Sequence, residues 1–142
     1  MTRALLLLLC ALSASAWFPA RAEEGQGRFA RCHGADRVTC VVDGDTLWLD
    51  GAKIRLADIN TPETGRPQCR AEAELGERAT RRLMQLLNEG GFTMEPSGNR
   101  DTDRYGRLLR VAMRDGESLG DVLVREGLAR PWAGRRGSWC PA

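Results

Sequence analysis

The sequence lacks an excess of charge and has almost no histidine or lysine. Among 142 residues there is one histidine, His33, and one lysine, Lys53, so nearly all of the 21 basic residues are arginine. Arginine suits bidentate phosphate contacts, although heavy use of arginine also follows from genomic base composition. Without the N-terminal segment described next, 19 basic residues face 19 acidic ones. Global charge therefore gives no support to nucleic-acid binding, which would have to rest on a local patch.

The sequence also lacks an apolar run long enough to span a membrane. Ala4–Leu12 is apolar but shorter than the roughly 18 residues that a span needs. It follows Arg3 and precedes an A-x-A pattern at 20–22. These features predict a secretory signal peptide over residues 1–22, with a cut after Ala16 as the alternative. We expect an exported protein, periplasmic or secreted, with no stable membrane association after cleavage.

Repeats and long hydrophilic linkers are absent from the remaining 120 residues, which is the usual size of one domain. We divide this part into an irregular N-terminal segment at 23–36, a folded domain at 37–132 and a short basic tail at 133–142. We expect a monomer.

Four cysteines follow the predicted signal peptide: Cys32, Cys40, Cys69 and Cys140. They include no C-x-x-C pair, and with a single histidine this disfavours a zinc site. An even number of cysteines in an exported small domain indicates disulfides, with three possible connectivities. Our hypothesis pairs Cys32 with Cys40 across a short turn, which leaves Cys69 for Cys140.

Apolar periodicity predicts five short strands and two helices. A spacing of three and four residues predicts a helix over Ala71–Asn88, and a second short helix follows from Ser118. Leu128–Trp132 is expected to be extended. Alternation predicts the strands Val38–Val42, Thr46–Asp50, Ala52–Ile59, Phe92–Glu95 and Leu108–Met113. The pattern by itself favours a small α+β or β-barrel domain.

Charged groups gather around the hairpin formed by the second and third of these strands. Its turn is Asp50-Gly51, and Asp43 and Asp45 stand at its entry. Arg55 lies within its second strand, and Glu63 lies just past its end. A hairpin that only fills a core needs none of these side chains. The two aspartates, the amide of Asn60 and a guanidinium brought together by one hairpin suggest a metal and a phosphate.

Three motifs in this order, DGDT, IRLADINTPE and DRYGR, resemble the staphylococcal-nuclease-like (thermonuclease) family over about Arg37 to Trp132. The resemblance implies a five-stranded OB-fold, a Greek-key barrel, with a helix between strands 3 and 4 and a second short helix. It also implies a metal-dependent nuclease that acts on DNA and/or RNA and leaves 3′-phosphate ends. The alternative is a non-catalytic OB-fold module that binds nucleic acid or a protein.

By the same resemblance, three residues are expected to carry catalysis. Arg55 and Arg107 would stabilise charge on the transition-state phosphorus, and Glu63 would act as the general base or orient the attacking water. Taken singly, each of the three has an ordinary structural explanation, such as an exposed strand position or a turn.

The resemblance also implies a calcium site. Asp45 would be a ligand, and Thr61 would supply its backbone carbonyl. Asn60 stands where the family usually has a second aspartate. The loss of one formal charge predicts weaker calcium binding, or another divalent cation.

Four residues are expected to contact substrate: Arg104, Tyr105, Trp132 and Arg135. The family's type member uses tyrosines after its second helix to hold the nucleotide, whereas the only tyrosine here is Tyr105. Trp132 would stack on a base, or else belong to the core, and Arg135 would hold a phosphate.

Overall fold

The computed structural model describes residues 23–25, 28–35 and 37–142. The predicted signal peptide lies outside the described residues. Among the residues that are described, no helix has the length and apolar character needed to cross a membrane.

The described residues form nine strands and two helices. They are β1 (Glu23–Gly25), β2 (Cys40–Asp43), β3 (Thr46–Leu49), β4 (Ala52–Leu56), β5 (Ile59–Asn60), α1 (Arg70–Asn88), β6 (Phe92–Pro96), β7 (Leu108–Arg114), β8 (Glu117–Ser118), α2 (Leu119–Arg125) and β9 (Arg130–Pro131). The predicted strands and both helices are present within a few residues of their expected bounds. The segment 23–36 is not irregular throughout, because β1 pairs antiparallel with β6.

The main sheet has seven strands in the order β1-β6-β7-β4-β3-β2, with β8 added to β7. The β3–β4 hairpin turns at Asp50 and Gly51, whose φ angles of 50° and 82° are those of a two-residue hairpin. Its register places Thr46 opposite Arg55. β4 runs parallel to β7 and places Arg55 opposite Leu109. The loop that ends at Arg107 is thereby brought beside Arg55.

Helix α1 covers the core side of this sheet. Its buried positions include Ala79, Leu83 and Leu86, which repeat in steps of three and four as predicted. They pack in one cluster with buried strand residues, among them Val41, Leu47, Ile54, Leu56, Phe92 and Met94. The apolar face of α1 therefore fixes the helix across the sheet, with its N-terminus at the end of the loop that follows β5.

One charged residue of α1 is buried. Glu72 belongs to the polar positions of α1 by residue type, yet it is buried, because its carboxyl group accepts backbone hydrogen bonds from the preceding loop.

Two disulfides confirm the hypothesis on pairing. Cys32 pairs with Cys40, and Cys69 pairs with Cys140, which is 71 residues further along the chain. Disulfides of this kind are compatible with export. The second one ties the end of the chain to the start of α1.

Candidate active site

Asp45 is the buried centre of a hydrogen-bond network at the entry of the β3–β4 hairpin. Its Oδ1 accepts a hydrogen bond from Thr46 Oγ1 at 3.0 Å, and its Oδ2 accepts one from the Thr61 backbone N–H at 3.2 Å. Arg55 Nη2 lies 3.6 Å from the same Oδ2. One carboxylate thus joins the hairpin entry, strand β4 and the segment after β5.

Arg55 is held rigidly by β4. Its guanidinium donates to the carbonyl oxygens of Leu56 and Ile59, the latter at 2.9 Å. Burial lowers the pKa of Arg55, and the neighbouring Asp45 carboxylate opposes this effect. Arginine keeps its charge in proteins, so the site contains a permanently charged and oriented donor group.

Arg107 approaches the same network from the loop before β7. Its Nε donates to Asp103 Oδ2 at 2.7 Å, and its Nη1 lies 3.4 Å from Thr46 Oγ1. Burial raises the pKa of Asp103, but the hydrogen bonds from Arg107 outweigh this and lower it overall. The Thr46 hydroxyl therefore links Arg107 to Asp45 and, through Asp45, to Arg55.

Glu63 lies on the loop between β5 and α1, and two residues of α1 shape that loop. The buried Glu72 carboxyl group accepts from the backbone N–H groups of Glu63 at 3.2 Å and Gln68 at 2.6 Å. Gly76 lets the helix approach closely, because a Cβ there would lie 2.8 Å from the Pro62 carbonyl oxygen. Helix α1 thus sets the path of the backbone on both sides of Glu63.

Arg55, Glu63 and Arg107 line one cleft of about 950 Å³, which is large enough for a nucleotide. Tyr105 is 67% exposed at its rim and Trp132 is 41% exposed. The other lining residues include Arg104, Gly134 and Arg136. The structure therefore brings the three residues expected to be catalytic to one concave surface with two accessible aromatic rings.

Of the four residues expected to contact substrate, Arg104, Tyr105 and Trp132 line the cleft and Arg135 does not. Arg104 Nη2 lies 2.6 Å from the Tyr105 hydroxyl, and its guanidinium lies over the Tyr105 ring. Trp132 lies with its ring 5.2 Å from the Arg55 guanidinium, at the cleft rather than in the core cluster. Arg135 is exposed and does not line the cleft; its neighbour Arg136 does, and forms an ion pair with Glu63.

The residues expected at the metal site fit a cation bound by oxygen. Asp45, Asn60 and Thr61 are all buried, and Asn60 Oδ1 has no hydrogen-bond partner among the described residues. Burial and the nearby Asp45 charge raise the pKa of Asp43 to about 6. Within the described ranges no three His, Cys, Asp or Glu side chains form a metal-binding group. A buried amide oxygen without a partner among the described residues, together with the buried Asp45 carboxylate, suits a hard divalent cation with few charged ligands.

The sequence did not predict the roles of three residues at the site: Glu72, Gly76 and Arg136. Glu72 had a usable signal, since it stands three residues after the N-cap residue Cys69, the spacing at which a glutamate turns back to cap a helix. Gly76 and Arg136 carried no such signal, because their roles depend on distant parts of the chain that fold against them.

Comparison with known proteins agrees with this fold. Residues 53–137 match the family described as staphylococcal nuclease homologue. The chain is 38% identical over 93 residues to endonuclease YncB of Bacillus subtilis, covering 63% of this chain and 44% of that protein. It is 31% identical over 98 residues to the thermonuclease of Staphylococcus hyicus, covering 66% and 57%. A micrococcal nuclease of Shigella flexneri is 31% identical over 112 residues, covering 69% and 57%.

The mixed sheet with its two helices is an OB-fold. The chain belongs to the family of staphylococcal nuclease homologues. It spans between 44% and 57% of the length of the three relatives named above.

Proposed function

We propose that this protein is an exported, divalent-metal-dependent nuclease that hydrolyses phosphodiester bonds of DNA and/or RNA. The observation that carries the proposal is the convergence of Arg55, Glu63 and Arg107 on one open cleft. The nuclease names of its relatives point to the same chemistry.

Glu63 accepts the proton of the attacking water as the new P–O bond forms. The P–O bond to the 5′ oxygen breaks, that oxygen leaves with a proton from solvent, and the other fragment ends in a 3′-phosphate. Its side chain is 37% exposed, so water reaches it. Phosphoryl transfer depends mainly on positioning and on stabilising charge around phosphorus. Arg55 and Arg107 supply that charge, and both are fixed in advance by acceptors other than the substrate.

A calcium ion, or another divalent cation, would be held by Asp45, Asn60 and the Thr61 carbonyl. When bound, it would polarise a phosphoryl oxygen. The unpartnered Asn60 Oδ1 supports this assignment, as does the oxygen-only chemistry of the set. Asp45 also orients Arg55, so one carboxylate serves both the cation and the arginine.

Bases flanking the reactive phosphate stack on exposed rings. Tyr105 and Trp132 offer such rings at the rim of the cleft, and Arg104 beside Tyr105 supplies positive charge for the backbone. Stacking does not require a particular base, so we expect weak sequence preference and activity on single strands.

The test is cleavage of single-stranded DNA by the purified mature chain with calcium, magnesium or manganese, with and without chelator. We expect metal-dependent fragments in at least one metal. Filter binding on the same samples distinguishes a nuclease from the alternative function. Binding without cleavage in any of the three metals would indicate a non-catalytic OB-fold module. Size-exclusion chromatography tests the expected monomer, and N-terminal sequencing of exported protein tests the cut after residue 22.

A further inference from the structure

We propose that Arg136 binds a substrate phosphate, and that the Cys69–Cys140 disulfide is the device that holds it over the cleft. The inference rests on the proposed nuclease function. It assigns the phosphate contact in the C-terminal tail to Arg136, which lines the cleft, instead of its neighbour Arg135, which does not.

The tail is anchored before it reaches the cleft. β9 pairs with β5, and the Trp132 backbone N–H donates to the Asp58 carbonyl oxygen at 2.8 Å. Gly134, whose φ of +77° favours glycine, then turns the chain along the cleft wall. Arg136 follows two residues later.

The tail is anchored again beyond the cleft. The Arg130 guanidinium lies 3.8 Å from the centre of the Trp139 ring and donates to the Ser138 carbonyl oxygen at 2.9 Å. Cys140, two residues after Ser138, forms the disulfide with Cys69 at the N-terminus of α1. A segment of few residues fixed at both ends has little conformational freedom left, so Arg136 is held over the cleft before substrate arrives.

The charges in the cleft point to an anionic ligand. Arg55, Arg107 and Arg136 all line it, and among the described residues Glu63 and Asp103 are the carboxylates there. Glu63 pairs with Arg136. Guanidinium groups close to one another repel, so such a cluster is most favourable when an anion lies among them. A phosphodiester offers the paired oxygens that guanidinium groups bind in bidentate fashion.

The Glu63–Arg136 pair is one that substrate can exchange. The two side chains are 37% and 44% exposed, and ion pairs between exposed side chains are weak. A phosphate that contacts Arg55, Arg107 and Arg136 on three sides competes well with such an ion pair. Arg136 therefore moves from Glu63 to the phosphate, which leaves Glu63 free to receive a proton.

The first experiment measures binding rather than cleavage. Anisotropy of a fluorescein-labelled single-stranded oligonucleotide is recorded with chelator present, for wild type and Arg136→Ala. We expect the variant to bind roughly tenfold more weakly, as for the loss of one charged contact. The slope of log K against log salt should fall in magnitude by about 0.7, the value for one phosphate on a single strand. Arg125→Ala is the control, because Arg125 pairs with Glu117 away from the cleft, and it should bind like wild type.

The second experiment tests the disulfide as a positioning element. Cys69→Ser/Cys140→Ser should weaken binding as Arg136→Ala does, and the triple variant should be no weaker than either. In cleavage assays the loss should appear in KM, with kcat within about twofold. Circular dichroism identifies any variant that fails to fold; Arg136→Ala keeps both disulfides and tests the phosphate contact independently.

Unchanged binding in Arg136→Ala would overturn the proposal. A rise in kcat at constant KM would also overturn it, since Arg136 would then only mask Glu63. Additive losses in the triple variant would refute the role of the disulfide. If wild type binds the oligonucleotide but cleaves it in no metal, the nuclease proposal fails while the Arg136 assignment is still decided by the binding series. A wild type that does not bind overturns both.

Discussion

Glu72 offers the sharpest test of how the helix positions Glu63. Replacement by alanine removes a buried carboxyl group that accepts from two backbone N–H groups, those of Glu63 and Gln68. Hydrogen bonds to charged groups contribute about 1.5–3 kcal/mol each. Because the loop is partly exposed and water can reach the freed N–H groups, we expect the loss of each hydrogen bond to cost an amount near the lower end of this range. The free energy of unfolding should therefore fall by about 3 kcal/mol.

Urea unfolding followed by circular dichroism measures this loss. Glu72→Gln keeps one acceptor oxygen and should lose roughly half as much. Glu74→Ala is the matched control, since Glu74 lies on the same helix, is exposed and pairs only with Arg70 among the described residues; its effect should be within about 0.5 kcal/mol.

Activity gives the second readout. With the loop released, Glu63 samples positions away from the attacking water, so kcat should fall at least tenfold at a temperature where the variant is fully folded. If Glu72→Ala unfolds at the same urea concentration as Glu74→Ala, the carboxyl group does not hold the loop. If it is destabilised but fully active, the loop path does not govern Glu63.

The remaining predictions concern the cleft itself. Glu63→Gln should fold normally and lose about 10²–10⁴-fold in cleavage rate; a loss below tenfold in a gel assay would remove Glu63 from the mechanism. Arg107→Ala should lose a comparable factor, and Arg107→Lys should recover little of it, because lysine cannot donate to Asp103 and a phosphate with one planar fork; full activity of the lysine variant would contradict that role. Asn60→Asp should bind calcium about tenfold or more tightly in isothermal titration, and equal or weaker affinity would mean that Asn60 is not a ligand.

Local signals were sufficient for the elements that carry the site. The Asp50-Gly51 turn and the alternation on either side of it predicted the β3–β4 hairpin, and the spacing of Ala79, Leu83 and Leu86 predicted α1. These signals work because turn geometry and the burial of one helix face depend on residues a few positions apart. The three motifs then predicted which side chains would meet.

Local sequence patterns did not predict the features that depend on contacts with a distant segment of the chain. β1 is three residues long and exists because β6 offers a free edge. Glu72 is polar by type, yet it is buried because the loop at 63–68 folds over it. Trp132 was compatible with the core or with a stacking surface, and the structure places it 41% exposed against Arg55.

By itself, the sequence determined strands β2, β3, β4, β6 and β7, both helices, the disulfide-forming cysteines and the set of charged residues that characterise the family. The tertiary structure decided that Arg136, rather than the exposed Arg135, lines the cleft and pairs with Glu63. The physical reason is that two long-range constraints set the position of the tail. One is the disulfide between Cys69 and Cys140, which are 71 residues apart, and the other is the pairing of β9 with β5. No periodicity within the tail encodes either constraint, since both arise only when the chain has folded.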